Sequence, residues 1–119
     1  MIIFKKFTFD SAHSLPNVPD GHKCKNVHGH TYHLTVFVEG DLDPYLGWVM
    51  DFTDLKVIID PLLKRIDHQF LNDIKGLENP TCEIFAKWIW EQLIVDLPGL
   101  KRIELNETPT SGAIYEGGI

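Results

Sequence analysis

The apolar residues of this chain repeat with a period of two near both ends and with a helical period in the middle. Four segments have strand character: 2–9, 28–39, 101–107 and 113–115. Two segments, 54–66 and 82–97, place apolar residues three and four positions apart, as in amphipathic helices. The order is therefore β-β-α-α-β-β. Because strands and helices are segregated, this order predicts an α+β domain, a four-stranded antiparallel sheet with two helices on one face.

The ends of both helices are predicted from capping residues. Thr53 is a plausible N-cap for a helix over Asp54–Ile66, although Pro61 should kink or interrupt it. Thr81 is a good N-cap for the second helix, which we expect to continue to about Leu97, just before a Pro-Gly pair.

The length of 119 residues predicts a single domain over 1–119. Seventeen acidic against eleven basic residues give a net charge of -6, which argues against a broad nucleic-acid-binding face. The apolar runs are too short to span a membrane, and no signal sequence follows Met1. We expect a cytoplasmic protein with Cys24 and Cys82 reduced. Because four strands cannot close a barrel and leave sheet edges to cover, we also expect a homo-oligomer.

Three histidines are predicted to meet at one end of the sheet. His28 and His30 are two apart on a strand and point to the same face, in phase with its apolar residues. Pairing of the first two strands would bring His13 to the same place. Three neutral imidazoles with an open position are typical of catalytic zinc. The alternative is a closed structural site with Cys24, four positions before His28, as fourth ligand.

Cys24 has a second interpretation if the three histidines hold the metal without it. The thiol lies in a loop between Lys23 and Lys25, and these two positive charges favour the thiolate. Cys24 would then be free to act as a base or nucleophile.

Two further acidic positions are candidates for chemistry. Asp67 could orient His68 for proton transfer, although His68 could instead only interact with the end of the first helix. Glu107 continues the parity of Ile103 and Leu105, which turns a carboxylate toward the apolar face. Burial of that charge is costly without a donor-rich ligand or basic partner, unless a frayed strand end exposes it.

Several of these residues belong to segments that together resemble the 6-pyruvoyl-tetrahydropterin synthase family. In chain order the segments are F-D-S-A-H at 9–13, C-x-x-x-H-G-H at 24–30, D-F-x-x-L-K at 51–56, D-H at 67–68, N-P-T-x-E at 79–83 and E-T at 107–108. L-N-D-I at 71–74 and G-L-E-N-P-T at 76–81 make the chain most similar to the bacterial branch, the 6-carboxy-5,6,7,8-tetrahydropterin synthases of queuosine biosynthesis.

The resemblance implies a tunnelling fold, in which subunits join into a barrel with active sites at subunit boundaries, and a hexamer is favoured. It also implies roles for the residues singled out above: zinc ligands His13, His28 and His30; proton-transfer groups Cys24, Asp67 and His68; and the pterin-ring anchor Glu107. We expect the ring anchor and the metal to address different ends of the substrate.

In this branch the implied reaction converts 7,8-dihydroneopterin triphosphate to 6-carboxytetrahydropterin with release of acetaldehyde and triphosphate. Lys23, Lys25 or lysines of a neighbouring subunit are candidates for holding the triphosphate. Two alternatives stay open: a 6-pyruvoyl-tetrahydropterin synthase, and a zinc-binding structural module without turnover.

Overall fold

The computed structural model describes residues 1–118, and its element order is the predicted one. The elements are strand β1 (Ile2–His13), strand β2 (His28–Glu39), helix α1 (Phe52–Ile66), helix α2 (Cys82–Leu93), strand β3 (Leu100–Thr108) and strand β4 (Ser111–Tyr115). The strands form one antiparallel sheet in the order β1-β2-β3-β4. The predicted α+β class is confirmed.

One face of the sheet carries the core and both helices. The register places Leu34 opposite Leu105 and Leu105 opposite Ala113, so inward positions of successive strands are aligned. Ile59 of α1 and Phe85 of α2 are fully buried in the same apolar cluster. Because each fully buried side chain of this size stabilises the fold by roughly 1.5 to 3 kcal/mol, this layer fixes the register of the sheet.

Helix α1 begins earlier than predicted and is not interrupted. Asp51, not Thr53, is its N-cap, because the Asp51 side chain accepts a hydrogen bond from the Thr53 N–H at 2.8 Å. Pro61 lies inside the helix, which continues to Ile66. The carbonyl that loses its partner belongs to Val57, which is 65% exposed, so solvent reaches this turn.

Helix α2 ends earlier than predicted. Thr81 is its N-cap as predicted, with the hydroxyl accepting the Ile84 N–H at 3.2 Å. The helix stops at Leu93, four residues before the predicted end, and the Asp96 N–H bonds to the Leu93 carbonyl in a tighter turn. Leu97 is nevertheless only 3% exposed, so its burial extends the apolar pattern beyond the helix.

The second face of the sheet has no helix on it within residues 1–118. Phe4 and Ile114 are more than half exposed there. A cavity of about 580 Å³ opens on this face beside Phe4, Thr35 and Phe37. None of the helices in the described part of the chain is long and apolar enough to cross a bilayer.

Candidate active site

The three predicted histidines meet at one end of the sheet. His13 ends β1 and lies opposite His28, the first residue of β2, while His30 lies opposite Ser11. The ring centroids are 4.5 Å apart for His13 and His28 and 5.0 Å apart for both pairs with His30. The period of two therefore brought the side chains together as predicted.

Backbone carbonyls set the orientation of two of these rings. Nδ1 of His13 lies 2.8 Å from the Pro80 carbonyl, and Nδ1 of His28 lies 2.8 Å from the Asn26 carbonyl. Because a carbonyl only accepts, both Nδ1 atoms carry a proton, and in the neutral ring the Nε2 atom then carries the lone pair. These two Nε2 atoms are 3.0 Å apart. Two facing lone pairs at that distance repel unless a cation lies between them.

The protonation states of His13 and His30 and the buried Nε2 atom of His30 are consistent with a metal site. Burial lowers the pKa of His13 and of His30, so both rings are neutral near pH 7. Nε2 of His30 is buried and makes no hydrogen bond with the described residues. Neutral imidazoles with inward lone pairs are the donors that Zn²⁺ prefers. The residues present therefore fit this metal.

Glu107 lies beside the histidines. Its Oε1 is 3.0 Å from Nε2 of His30 and 3.9 Å from Nε2 of His13. Its side chain is 25% exposed, so the carboxylate is partly open to a ligand. The short contact to His30 does not have hydrogen-bond geometry, which leaves the carboxylate free to accept from a ligand.

Cys24 is not part of this cluster. It lies in a single-turn 3-10 helix over Lys23–Lys25, where its N–H donates to Nδ1 of His22 at 3.0 Å. In residues 1–118, the groups within 4.8 Å of one another at this site are His13, His28, His30 and Glu107. The closed four-ligand arrangement with Cys24 is therefore not formed. Of the two flanking lysines, Lys25 pairs with Asp20 at 2.6 Å.

Asp67 and His68 form a separate cluster beside β1. Oδ1 of Asp67 lies 2.9 Å from Nδ1 of His68 and accepts the Asp10 N–H at 3.0 Å. The Asp10 N–H, and to a lesser degree His68, lower the pKa of Asp67. His68 has a φ of 57° and is held by its N–H, which donates to the Asp10 carbonyl at 2.6 Å. A cavity of about 520 Å³ adjoins His68 and Phe70.

The two clusters are distinct groups, although His30 of one and His68 of the other line the same cavity. The group of Asp10, Asp67 and His68 shares no member with the histidine group. The predicted proton-transfer residues therefore lie at two places, Cys24 in the turn over Lys23–Lys25 and Asp67 with His68 beside β1.

Comparison with known proteins decides the family. A family model described as 6-pyruvoyl tetrahydropterin synthase matches residues 2–118. The chain belongs to this family.

Members of this family with different names are similar to the chain over nearly its whole length. A 6-carboxy-5,6,7,8-tetrahydropterin synthase of Synechocystis sp. is 45% identical, covering 96% of this chain and 92% of the relative. A dihydroneopterin monophosphate aldolase of Pyrococcus furiosus is 41% identical, covering 96% of both chains. The Caenorhabditis elegans 6-pyruvoyl tetrahydropterin synthase structure superposes with a TM-score of 0.92 at 28% identity, covering 99% and 96% of the two chains.

Sequence reasoning on this family member missed the residues that support the site. The acceptor for His13 is the backbone of Pro80, and a backbone carbonyl leaves no residue-type signal in a sequence. The N–H of Asp10, which donates to the Asp67 carboxylate, is also a backbone group and leaves no such signal. Tyr32 is the exception, because it continues the parity of His28 and His30, and its hydroxyl lies 3.4 Å from Nδ1 of His13.

Proposed function

We propose that this protein is a 6-carboxy-5,6,7,8-tetrahydropterin synthase of queuosine biosynthesis. It would convert 7,8-dihydroneopterin triphosphate to 6-carboxytetrahydropterin with release of acetaldehyde and triphosphate. The observation that carries the proposal is the cluster of His13, His28 and His30, in which Nδ1 of His13 and of His28 is bonded to a backbone carbonyl, beside a partly open carboxylate. The 45% identity to the Synechocystis synthase supports the choice of product.

The proposed metal is one Zn²⁺ per chain, held by His13, His28 and His30. Three neutral imidazoles leave a coordination position for substrate, as in catalytic zinc sites. When bound, the ion would supply a Lewis acid for the oxygen atoms of the substrate side chain. The carbonyls of Pro80 and Asn26 hold two of the three rings in the tautomer that such binding requires.

The proposed proton-transfer groups are Cys24, Asp67 and His68. The Asp67 carboxylate, held by the Asp10 N–H, orients the His68 ring through Nδ1, so that Nε2 faces away and is available to a substrate. Because this pair and the histidine cluster are separate in one chain, we propose that the complete site forms between subunits of a homo-oligomer, with a hexamer favoured.

Glu107 is proposed to bind the pterin ring. An ionised carboxylate accepts two parallel hydrogen bonds, which suits the paired N–H donors of a pterin. Since Oε1 of Glu107 is 3.0 Å from Nε2 of His30, the ring edge that it holds would lie close to the metal ligands. For the triphosphate, Lys23 and lysines of a neighbouring subunit are better candidates than Lys25, which pairs with Asp20.

The experiment is an incubation of the purified protein with 7,8-dihydroneopterin triphosphate, with mass spectrometry of the pterin product and trapping of acetaldehyde. We expect 6-carboxytetrahydropterin and acetaldehyde in equal amounts. A 6-pyruvoyl product without acetaldehyde would instead identify a 6-pyruvoyl-tetrahydropterin synthase. Absence of turnover in protein that holds zinc would favour the structural module. The cytoplasmic location stays a prediction, which cell fractionation tests.

A second candidate function is the one named for the Pyrococcus furiosus relative, which is 41% identical over 96% of both chains. An aldolase acting on dihydroneopterin monophosphate breaks a carbon–carbon bond of the side chain without needing a triphosphate leaving group. The same protein should therefore be incubated with the monophosphate in parallel. Faster cleavage of the monophosphate than of the triphosphate would favour this alternative.

A further inference from the structure

We propose that Asn72, which lies outside the site described above, is a positioning residue for His13 and acts through the Pro80 carbonyl. The proposal deepens the metal site and rests on the proposed function. It concerns how two segments distant in the sequence are held together so that one imidazole keeps its orientation.

The orientation of His13 depends on a distant segment. His13 is fully buried, and its Nδ1 bonds to the carbonyl of Pro80, 67 positions later, at 2.8 Å. The Tyr32 hydroxyl is a weaker neighbour of the same atom at 3.4 Å. The ring therefore keeps its tautomer and direction only while the segment before α2 stays against the end of β1.

The side chain of Asn72 joins these two segments. Its Oδ1 accepts the N–H of Ser14 at 3.0 Å, and its Nδ2 donates to the Ser14 carbonyl at 2.8 Å. The same Nδ2 lies 3.4 Å from the carbonyl of Glu78. Ser14 directly follows His13, and Glu78 is two residues before Pro80.

Only an amide of this length provides these bonds. The site needs one acceptor and two donors on one short side chain, and aspartate has the acceptor but no donor. Among the described residues, the hydrogen bond that directly joins residues 13–15 to residues 76–81 is that from His13 to Pro80. Without Asn72, that bond would be the hydrogen bond left between these two segments, and the buried Leu77 would hold the second segment only by apolar packing.

The expected effect is on metal binding. Removal of groups that orient a metal-bound histidine typically weakens metal affinity by 10- to 100-fold. Asn72 acts one step further away, so we expect a loss of about 10-fold, at the lower end of that range.

The experiment compares the full-length protein with Asn72→Ala and Asn72→Asp. The aspartate variant keeps the size and the acceptor oxygen but removes both donors. Asn17→Ala, at an exposed loop position, is the matched control. Zinc affinity is measured by competition with a chromophoric chelator, and the visible spectrum of the cobalt-substituted protein reports ligand geometry. Circular dichroism of each holoprotein establishes that it is folded.

We expect both Asn72 variants to be folded, to bind zinc about 10-fold more weakly and to show an altered cobalt spectrum, while Asn17→Ala matches the wild type. If Asn72→Ala fails to fold, Asn72→Asp decides by the same two measurements. Wild-type zinc affinity together with a wild-type cobalt spectrum in a folded Asn72 variant would overturn the role of Asn72. The proposed metal site would not be affected by that result. Wild-type protein that binds neither ion would overturn the proposed metal site and this inference with it.

Discussion

The Pro80 and Asn26 carbonyls determine the chemistry of the site at the scale of single residues. Each accepts the Nδ1 proton of one histidine, so the remaining lone pairs of His13 and His28 face the centre. Burial keeps His13 neutral by lowering its pKa. Two rings whose Nε2 atoms are 3.0 Å apart are already oriented toward each other, which reduces the ordering that metal binding requires.

Cys24→Ala tests the separation of the thiol from the histidine cluster. Because Cys24 is outside the group of His13, His28, His30 and Glu107, the variant should keep about one zinc per chain and its fold but lose nearly all turnover. Metal analysis and product formation are measured on one preparation. Loss of zinc together with unfolding would favour a closed four-ligand site.

Glu107→Gln tests the carboxylate beside the metal ligands. The amide keeps the shape but presents a donor where the pterin needs an acceptor, so the binding free energy should weaken by about 2 to 4 kcal/mol for two bonds to a charged group. Calorimetric titration with a pterin measures this, and Glu116→Gln, at an exposed position, is the control.

Zinc content separates two roles for Glu107. A substrate-binding carboxylate leaves about one zinc per chain in Glu107→Gln, because the three histidines remain. An equal pterin affinity combined with a large loss of zinc would instead assign Glu107 to the metal.

The pH dependence at Asp67 follows from its hydrogen bonds. Its pKa lies below the ordinary 3.8 chiefly because the Asp10 N–H stabilises the carboxylate, and His68 contributes less. A carboxyl group with a lowered folded pKa stabilises the native state above the unfolded pKa, and this contribution is lost as the pH falls through the folded value. We therefore expect the loss in the acid range below about pH 4.

The measurement is a carbon-13 NMR titration of the Asp67 carboxyl group in the wild type and in His68→Gly. Glycine adopts the φ of 57° found at this position and keeps the backbone N–H. Part of the lowering should survive the substitution, since the Asp10 N–H, its largest single cause, still donates to the carboxylate. A midpoint that returns to the ordinary value in His68→Gly would make His68 the main cause.

At the scale of elements, the beginning of α1 shows how a cap is selected. Both Asp51 and Thr53 are residues that cap helices well. The chain uses Asp51, because its carboxylate accepts the Thr53 N–H and its carbonyl accepts the Leu55 N–H at 3.1 Å. Thr53 is thereby inside the first turn, where its side chain has no capping role.

The pair Asp51→Ala and Thr53→Ala tests this choice. Loss of the cap should lower the free energy of unfolding by about 1 kcal/mol in Asp51→Ala. Thr53→Ala should change it by less than about 0.5 kcal/mol, as at other exposed positions. Urea denaturation followed by circular dichroism measures both, and equal losses would show that Thr53 shares in the cap.

At the scale of the whole molecule, the sheet face without helices in residues 1–118 carries exposed apolar side chains, among them Phe4 and Ile114. Phe4, near the beginning of β1, is 52% exposed on this face. Residues 68–70 run beside β1 at Ala12, where the Ala12 N–H bonds to the Gln69 carbonyl at 2.9 Å. Among the described residues, this segment covers one end of the β1 edge and does not reach the part near Phe4.

Phe4→Asp tests the proposed homo-oligomer. A charge on a face that another copy covers should dissociate the assembly, because its burial there would be unpaired. Val57→Asp, on the exposed side of α1 at 65% exposure, is the matched control and should leave the assembly intact. Native mass spectrometry measures both, and an unchanged assembly in Phe4→Asp would place the interface elsewhere.

Local periodicity was enough to predict the element order and the meeting of the three histidines. Side chains alternate on every strand, so His28 and His30 share a face in any sheet, and a neighbouring antiparallel strand carries His13 to them. The inward direction of Glu107 follows from the same rule. The alternation of side chains is common to all strands, and the sequence decides which residues take the inward positions.

Tertiary structure decided what depends on contacts between distant segments. Helix α2 ends at Leu93, where a turn follows. Because Leu97 is buried beyond this turn, the apolar pattern of the sequence continues past the end of the helix. The partner of His13 is a carbonyl 67 residues away, and the bridge through Asn72 depends on where Ser14 and Glu78 come to lie. Because hydrogen bonds need positions within a few tenths of an ångström, periodicity placed the histidines, and only the packed chain oriented them.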